Sequence, residues 1–290
     1  MDDPSESGIA RVLVVGAGTM GNGIAQIVAE AGIEVILCDA DPGRLEQGRN
    51  AVDARWRRAH DKGQLNANTI TGFQANLLTG SLADAVHADL VIEAIVERLD
   101  AKAALLRQLD GIALPEAVFA SNTSSISITA LGNASGRPEN VIGLHFFNPV
   151  PVLPLVEVVN GLATSAATTA KAVNFAIGLG KTPVVVSDAP GFVANRILLP
   201  MINEAIFTLQ EGVASAADID RVMKLGMAHP MGPLALADLI GLDICLDILD
   251  TLHRDFGDDK YRAAPLLKRM VAAGRLGRKT GQGFFEYATS

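Results

Sequence analysis

Short apolar runs, most of them rich in β-branched residues, recur along the first 190 residues and alternate with helix-like segments. The runs lack the polar alternation of a half-exposed strand, which is typical of strands covered on both faces of a parallel sheet. They predict strands at residues 11–15, 33–39, 89–94, 117–121, 141–145, 155–159 and 183–188. Helices are predicted at 19–31, 42–62, 98–110 and 165–179, with a further helix and turns within 63–85.

The strand pattern ends at about residue 188, and the rest of the chain is predicted to be helical. One long helix is expected over 190–212, followed by helices at 216–225, 233–254 and 263–273. The pattern therefore predicts the α/β class, with a Rossmann-like dinucleotide-binding domain over residues 1–190 and an all-α C-terminal domain over residues 191–290.

The composition is that of an ordinary soluble protein, with 290 residues, 49% hydrophobic and 19% charged. The net charge of −8 argues against general affinity for nucleic acid, which needs a basic surface. We expect no membrane span and no secretory signal, and loose order in the first eight or so residues. Cys38 and Cys245 lie far apart without metal-site spacing, so we expect no disulfide framework, no metal and a cytoplasmic location.

A glycine-rich turn, GAGTMG at residues 16–21, follows the first predicted strand and opens the first predicted helix. With Asp39 ending the next strand, this is the context that dinucleotide binding requires. Gly16 makes the tight turn, Gly18 lets the backbone approach a pyrophosphate, and Gly21 allows close packing. The Asp39 carboxylate can accept hydrogen bonds from the ribose hydroxyls. It would repel the 2′-phosphate of NADP, which favours NAD over NADP. The alternative is a glycine-rich turn that binds no ligand.

One histidine and one carboxylate stand in apolar runs that are predicted to be buried. His145 ends the strand VIGLH, and Glu157 lies within LVEVV. A buried carboxylate without a partner costs several kcal/mol, and the prolines between the two residues can turn the chain back so that they meet. The carboxylate then fixes the imidazole tautomer, and the second ring nitrogen is a base for the hydroxyl proton released in hydride transfer. The alternative is a buried histidine that backbone groups satisfy.

A second polar cluster, the serine loop SNTSS at residues 121–125, directly follows the strand AVFAS. Open α/β sheets bind ligands at the carboxyl ends of their strands, so Ser124 is a candidate to hydrogen-bond a substrate oxygen. The alternative is that Ser124 caps the following helix. The same alternative applies to Ser121, Thr123 and Ser127. Asn195, in PGFVANR, is either a site residue or an amide on a helix surface.

Charged residues in two further places leave similar alternatives open. Glu93 lies near the end of the strand at 89–94, and Glu97 lies shortly after it. Helix capping explains either residue, and the alternative for Glu97 is a position beside a nicotinamide. A basic run in the helix at 42–62 is either a solvated helix face or the place that holds a 3′-phosphorylated nucleotide. This basic run consists of Arg55, Arg57, Arg58 and Lys62.

With these residues assembled, the sequence closely resembles the L-3-hydroxyacyl-CoA dehydrogenase family in its short-chain bacterial form. The resemblance covers residues 10–287 and rests on several specific motifs in order. They are VGAGTMGNGIAQ, FASNTSSISIT, GLHFFNPVPV, LVEVV, DAPGFVANRIL, HPMGPLALADLIGLD and GRKTGQGFFEY.

The resemblance implies a role for each candidate of the reaction site. His145 is implied as the general base and Glu157 as its carboxylate partner. Ser124 and Asn195 are implied as hydrogen-bonding residues around the substrate oxygen. The substrate is then an acyl-CoA with a short chain.

The resemblance also implies the cofactor and the partners. NAD is implied as the cofactor, with Asp39 on its ribose. The other residues of the cofactor site are implied to be Thr19, Met20, Glu97 and Asn122, together with the glycines of the turn. CoA is implied to lie against the basic run, for which Arg55 and Arg58 are the candidates. A homodimer through residues 191–290 is implied as well.

Two rival functions remain as alternatives, and the sequence departs from the family pattern at one position. A dehydrogenase of a free hydroxy acid, such as the gulonate type, shares the cofactor domain, and a non-catalytic NAD-binding protein is the other rival. Family members often carry a lysine just before the LVE strand, where this chain has Pro154. The change removes a positive charge near the predicted site.

Overall fold

The computed structural model describes residues 8–288. The predicted loose order of the first residues falls mainly on 1–7, which lie outside the described residues. The chain divides into two compact units, one ending at Ala189 and the other beginning at Pro190. No helix in the described part is both long and apolar enough to cross a membrane.

The first unit alternates strands and helices, as the hydrophobic pattern predicts. Its strands are β1 (Arg11–Val15), β2 (Glu34–Cys38), β3 (Leu77–Thr79), β4 (Leu90–Glu93), β5 (Val118–Ser121), β6 (Val141–Phe146), β7 (Leu155–Asn160) and β8 (Thr182–Ser187). Its helices are α1 (Thr19–Glu30), α2 (Pro42–Asp61), α3 (Ala67–Asn76), α4 (Leu99–Asp110), α5 (Ile128–Ser135) and α6 (Ala166–Gly178).

The strands form one eight-stranded sheet in the order β3-β2-β1-β4-β5-β6-β7-β8. β1 to β6 are parallel, β7 runs antiparallel to β6, and β8 is parallel to β7. The strand order reverses at β1, which lies between β2 and β4, and open α/β sheets bind ligands at such a switch point. The predicted Rossmann-like architecture is confirmed.

The core of the first unit contains the buried faces of its central strands together with residues of α1, α2 and α6. α2 contributes Trp56, which is fully buried, and α6 contributes Phe175. The prediction that every strand is covered on both faces is wrong for β8. This strand lies at the sheet edge, and Val184 and Val185 are 44% and 51% exposed. β3, a three-residue strand at the opposite edge, is not predicted because it is too short to leave a pattern.

The second unit is helical, but two predicted helices have different bounds. Its helices are α7 (Ala194–Gln210), α8 (Ala216–Gly226), α9 (Pro233–Ile240), α10 (Leu242–Phe256) and α11 (Pro265–Ala272). α7 starts later than predicted because Gly191 and Phe192 have φ values of +72° and +49°, which a right-handed helix excludes. The single helix predicted over 233–254 is two helices, because Gly241 has φ +107°.

Asp238 joins the C-terminal tail to α9. Its side chain is buried, and its two carboxylate oxygens accept hydrogen bonds from Phe284 N and Phe285 N at 2.9 Å each and from the Tyr287 hydroxyl at 3.0 Å. Burial raises the pKa of the Asp238 carboxyl in spite of these donors. The motif GQGFFEY is thereby fixed on the helical unit.

Candidate active site

The predicted site residues of the first unit gather at the carboxyl ends of its parallel strands. The glycine-rich turn follows β1, Glu93 ends β4, Ser121 ends β5, and His145 lies near the end of β6. Since parallel strands end at the same edge of a sheet, the fold brings together groups that are up to about 130 positions apart in sequence. Asn195 belongs to the second unit, where it lies near the start of α7.

The glycine-rich turn has the shape that a dinucleotide pyrophosphate requires. A Cβ on Gly16 would lie 2.6 Å from Ala94 O, and one on Gly21 would lie 1.7 Å from Gly16 O, so both positions exclude larger residues. A Cβ on Gly18 would meet nothing within 4 Å, which leaves open space on that side of the turn. α1 begins at Thr19 without a capping side chain, so its first N–H groups are suited to an anion.

A cavity of about 1070 Å³ extends along this turn and is lined by Thr19, Met20 and Asp39 among others. Asp39 Oδ2 accepts from Ala17 N at 2.8 Å, and Asp39 Oδ1 accepts from Asp41 N at 2.9 Å. A carboxylate has about four acceptor positions, so each oxygen retains capacity for a ribose hydroxyl. The cavity, the open turn and the carboxylate together fit the adenosine diphosphate half of NAD.

The predicted meeting of His145 and Glu157 is confirmed. The two residues lie directly opposite each other in the β6–β7 pair, with His145 Nδ1 and Glu157 Oε2 2.8 Å apart. Both side chains are buried. A carboxylate only accepts, so it places a proton on Nδ1, and the basic lone pair of the neutral ring is then on Nε2. The Phe147 ring packs on the imidazole with 4.5 Å between the ring centroids.

The chain reversal between β6 and β7 is held by a lysine that the sequence pattern does not single out. Lys181 Nζ donates to Val150 O at 2.6 Å and to Leu153 O at 2.8 Å. Pro154 O accepts from Thr182 N at 2.8 Å, so the proline adds to the β7–β8 pairing. A positive charge is therefore present at this reversal, although Pro154 stands where the resemblance implies a lysine.

Glu97 holds the serine loop. Its Oε1 accepts from the Thr123 hydroxyl at 2.6 Å, from Ser124 N at 2.9 Å and from Ser125 N at 3.2 Å. Helix capping is wrong for Glu97, since Arg98 is the N-cap of α4. Capping is confirmed for Ser127, whose hydroxyl accepts from Ala130 N at 3.1 Å.

A buried ion pair lies beneath the serine loop, and the sequence pattern does not predict it. Lys102 Nζ and Glu93 Oε1 are 2.6 Å apart, and both side chains are 1% exposed. Glu93 also accepts from the Ser121 hydroxyl at 2.6 Å, and Lys102 Nζ lies 3.3 Å from Glu97 Oε2. Helix capping is wrong for Glu93 and Ser121, because the N-caps of α4 and α5 are Arg98 and Ser127. The sequence contains one signal for this pair. Lys102 stands four residues before Leu106 and seven before Leu109, and this spacing places a lysine on the apolar face of α4.

The pKa of the Glu97 carboxyl reflects this environment. Burial by itself would raise the pKa, but the charge of Lys102 and the hydrogen bonds from Thr123 and Ser124 outweigh burial and lower it. The carboxyl is therefore ionised at neutral pH, as acceptance from several donors requires.

Glu97→Gln is expected to remove part of the acid dependence of stability. Because the pKa is lower in the folded state than the ordinary value of 4.5, the contribution of the carboxylate is fully present above that value. It is lost as pH falls through the folded pKa. The difference in free energy of unfolding between wild type and Glu97→Gln, followed by urea titration from about pH 7 to about pH 3, should shrink on the acid side. A difference that stays constant over this range would contradict the ionised contact.

The two asparagines occupy different settings. Asn122 Oδ1 accepts from Phe146 N at 3.0 Å, which ties the serine loop to the end of β6. Asn195 is only 8% exposed, so the alternative of a surface amide is wrong. The role of Asn122 in the cofactor site and the contact of Asn195 with the substrate oxygen stay predictions.

The basic run divides into residues with different surroundings. Arg58 is exposed, and its Nε donates to Ala54 O at 3.2 Å within the same helix. Arg55 is half-buried, and its Nη2 donates to Asn22 Oδ1 at 2.7 Å. The two arginines predicted to contact CoA therefore differ in how much of the guanidinium is accessible.

Known families and proteins match nearly the whole described chain. A family model described as 3-hydroxyacyl-CoA dehydrogenase, NAD binding domain, matches residues 11–189, and one described as 3-hydroxyacyl-CoA dehydrogenase, C-terminal domain, matches residues 191–287. A probable 3-hydroxybutyryl-CoA dehydrogenase of Deinococcus radiodurans is 52% identical over 94% of this chain and 99% of its own. The 3-hydroxybutyryl-CoA dehydrogenase of Bradyrhizobium diazoefficiens is 48% identical over 96% of each chain.

A solved structure gives the same match in three dimensions. The crystal structure of (S)-3-hydroxybutyryl-CoA dehydrogenase PaaH1 from Ralstonia eutropha superposes with a TM-score of 0.94 at 48% identity. The match covers 97% of this chain and 100% of that one. Sequence and fold are thus shared over both units.

Proposed function

Because the chain belongs to the 3-hydroxyacyl-CoA dehydrogenase family, we propose that it catalyses the reversible NAD-linked oxidation of an L-3-hydroxyacyl-CoA to the 3-ketoacyl-CoA. The buried His145–Glu157 pair, at the same sheet edge as the glycine-rich turn, is the observation that carries the proposal. Short chains are the proposed substrates, with 3-hydroxybutyryl-CoA first, since relatives over 45% identical carry that name.

Each side chain has a proposed part in the reaction. NAD is the cofactor, and when bound it supplies the acceptor for the hydride that leaves the substrate carbon. His145 Nε2 takes the hydroxyl proton, and the Glu157 carboxylate stabilises the imidazolium that forms. In the reverse direction the same nitrogen returns the proton to the carbonyl oxygen.

Further residues are proposed to orient substrate and cofactor. Glu97 Oε1 accepts from Ser124 N at 2.9 Å and lies 3.4 Å from the Ser124 hydroxyl. This anchored position supports the proposal that the hydroxyl turns to donate to the substrate oxygen. Asn195 is proposed for the same oxygen on the sequence resemblance alone. Glu97 and Asn122 are proposed as residues of the cofactor site, and Arg58 as a contact for the CoA phosphate.

We propose a homodimer formed through the second unit and a cytoplasmic location. That unit exposes large apolar side chains on α7 and α8, with Ile197 67%, Val222 61% and Leu225 80% exposed. Sedimentation at micromolar concentration should give a dimer for wild type and a monomer for Leu225→Glu, and a wild-type monomer would contradict the proposed homodimer.

The proposed cytoplasmic location is supported by the two cysteines. Cys38 and Cys245 are free thiols, as a reducing compartment favours.

The substrate assignment is tested by comparing kcat/KM across substrates with NAD at saturation. We expect 3-hydroxybutyryl-CoA to exceed longer 3-hydroxyacyl-CoA thioesters and to exceed free hydroxy acids such as gulonate. A higher kcat/KM for a free hydroxy acid would instead support the gulonate-type function.

A further inference from the structure

Arg55 lies on the face of α2 that packs against α1, whereas Arg57 and Arg58 are exposed. Its guanidinium donates in two directions at once. Nη2 lies 2.7 Å from Asn22 Oδ1, and Nε donates to Gln26 Oε1. Two of its N–H groups are therefore engaged by acceptors on α1.

Asn22 connects this guanidinium to the glycine-rich turn. Its side chain is 7% exposed, and its Nδ2 donates to Gly18 O at 2.7 Å and lies 3.4 Å from Ala17 O. Both carbonyls belong to the turn. The amide group thus bridges Arg55 on one side and the turn on the other.

The chemistry of the guanidinium fixes the orientation of that amide. A guanidinium only donates, so it requires the oxygen of Asn22 to point toward Arg55. The amide nitrogen is then directed at the carbonyls of Ala17 and Gly18. With the opposite orientation, an oxygen would face two carbonyl oxygens and the contact with the turn would become repulsive.

Gln26 is oriented by the same logic. Its Nε2 donates to Glu30 Oε1 at 2.8 Å, and the same oxygen accepts from the Trp56 indole at 2.7 Å. The Gln26 oxygen is thereby left toward Arg55. The guanidinium is held in place by a continuous set of hydrogen bonds between α1 and α2.

The opposite side of the turn has its own support. Ala17 N donates to Asp39 Oδ2 at 2.8 Å, and Gly16 N donates to Cys38 O at 2.8 Å. The end of β2 thus fixes the N–H side of the Ala17 residue, while Asn22 contacts its carbonyl. Displacing either support shifts the backbone against which a pyrophosphate must pack.

We infer that Arg55 is a positioning residue for the cofactor turn, acting through Asn22, and not a contact for CoA. The inference deepens the proposed function and rests on it, because NAD is the ligand assigned to the turn. One of the two arginines that the resemblance implies for CoA thus has a different role.

The test compares Arg55→Lys and Arg55→Met with Arg58→Met, with NADH dissociation constants measured by calorimetry. Lysine keeps the charge, which suffices for a phosphate contact, but it lacks the planar fork that engages Asn22 and Gln26 together. Both Arg55 variants should therefore bind NADH about tenfold more weakly, while the KM for acetoacetyl-CoA at saturating NADH changes less than about twofold. Arg58→Met should raise the KM for acetoacetyl-CoA and change the NADH dissociation constant less than about twofold.

A double-mutant cycle with Asn22→Ala tests the route of the effect. If Arg55 acts through Asn22, the double variant Asn22→Ala/Arg55→Met binds NADH about as weakly as Asn22→Ala alone. Additive losses would overturn the inference. So would wild-type NADH affinity in Arg55→Lys, or a raised KM for acetoacetyl-CoA with unchanged NADH affinity in Arg55→Met.

The NADH titrations do not depend on the substrate. A wild-type protein that binds NADH without reducing acetoacetyl-CoA would overturn the proposed function, whereas the Arg55 comparison would still have a definite result. Arg55→Lys keeps the aliphatic stem that packs between the helices, so it serves as the folded variant if Arg55→Met unfolds.

Discussion

His145→Gln should lower the turnover of acetoacetyl-CoA at least ~100-fold, the lower end of the effects of a general acid–base group. Glutamine can still contact Glu157, but its amide cannot exchange a proton with the substrate oxygen at neutral pH. Steady-state NADH oxidation measures the loss. Near-normal turnover would show that His145 is not the proton-transfer group.

The affinity for NADH is the control for this variant. The glycine-rich turn is held by Asp39 and Asn22, so its shape should survive the substitution and the dissociation constant should stay within about twofold of wild type. Glu157→Gln is the second comparison. It keeps an acceptor for Nδ1–H and removes the charge, so it should reduce turnover less than His145→Gln does.

Lys102→Met should lower the free energy of unfolding of the first unit by about 3–5 kcal/mol, the usual cost of removing one partner of a buried ion pair. The substitution leaves Glu93, which is 1% exposed, without its cation. Trp56, the only tryptophan of the chain, lies in the core of this unit, so its fluorescence in urea reports this unfolding.

Two variants show whether the loss comes from the unpaired charge. Glu93→Gln/Lys102→Met removes both charges of the buried pair and should regain the part of the stability that is lost because Glu93 is left unpaired. The part that comes from the lost contact between Lys102 and Glu97 should remain. Lys62→Met, at an exposed position, should change stability by no more than about 0.5 kcal/mol. A loss in Lys102→Met as small as that of Lys62→Met would contradict the buried pair.

Polar residues in apolar patterns are the most informative feature of the sequence. His145 and Glu157 interrupt predicted strands, and the cost of burying a lone carboxylate is enough to predict their contact from the sequence. The glycine-rich turn and Asp39 are predictable for a related reason, since the spacing reflects the geometry of one strand–turn–helix unit.

Three other features of the structure are not predictable in this way. Lys102 interrupts an apolar stripe as His145 does, but its partner Glu93 looks like a helix cap in the sequence. The two meet because α4 packs back on the end of β4, the strand that precedes it. Arg55 belongs to a run of arginines whose spacing does not tell which one faces α1. Gly241 sits within an apolar helical pattern, and its positive φ divides a helix that periodicity alone predicts as continuous.

NAD-linked interconversion of 3-hydroxyacyl-CoA and 3-ketoacyl-CoA is tested by adding acetoacetyl-CoA to the purified full chain with NADH. The absorbance of NADH at its long-wavelength band is then followed. We expect NADH to be consumed mole for mole with acetoacetyl-CoA, the product to be the L-3-hydroxybutyryl thioester, and the decrease to be nearly abolished in His145→Gln. Bound NADH that acetoacetyl-CoA leaves unoxidised, or equal oxidation in His145→Gln, would contradict this expectation.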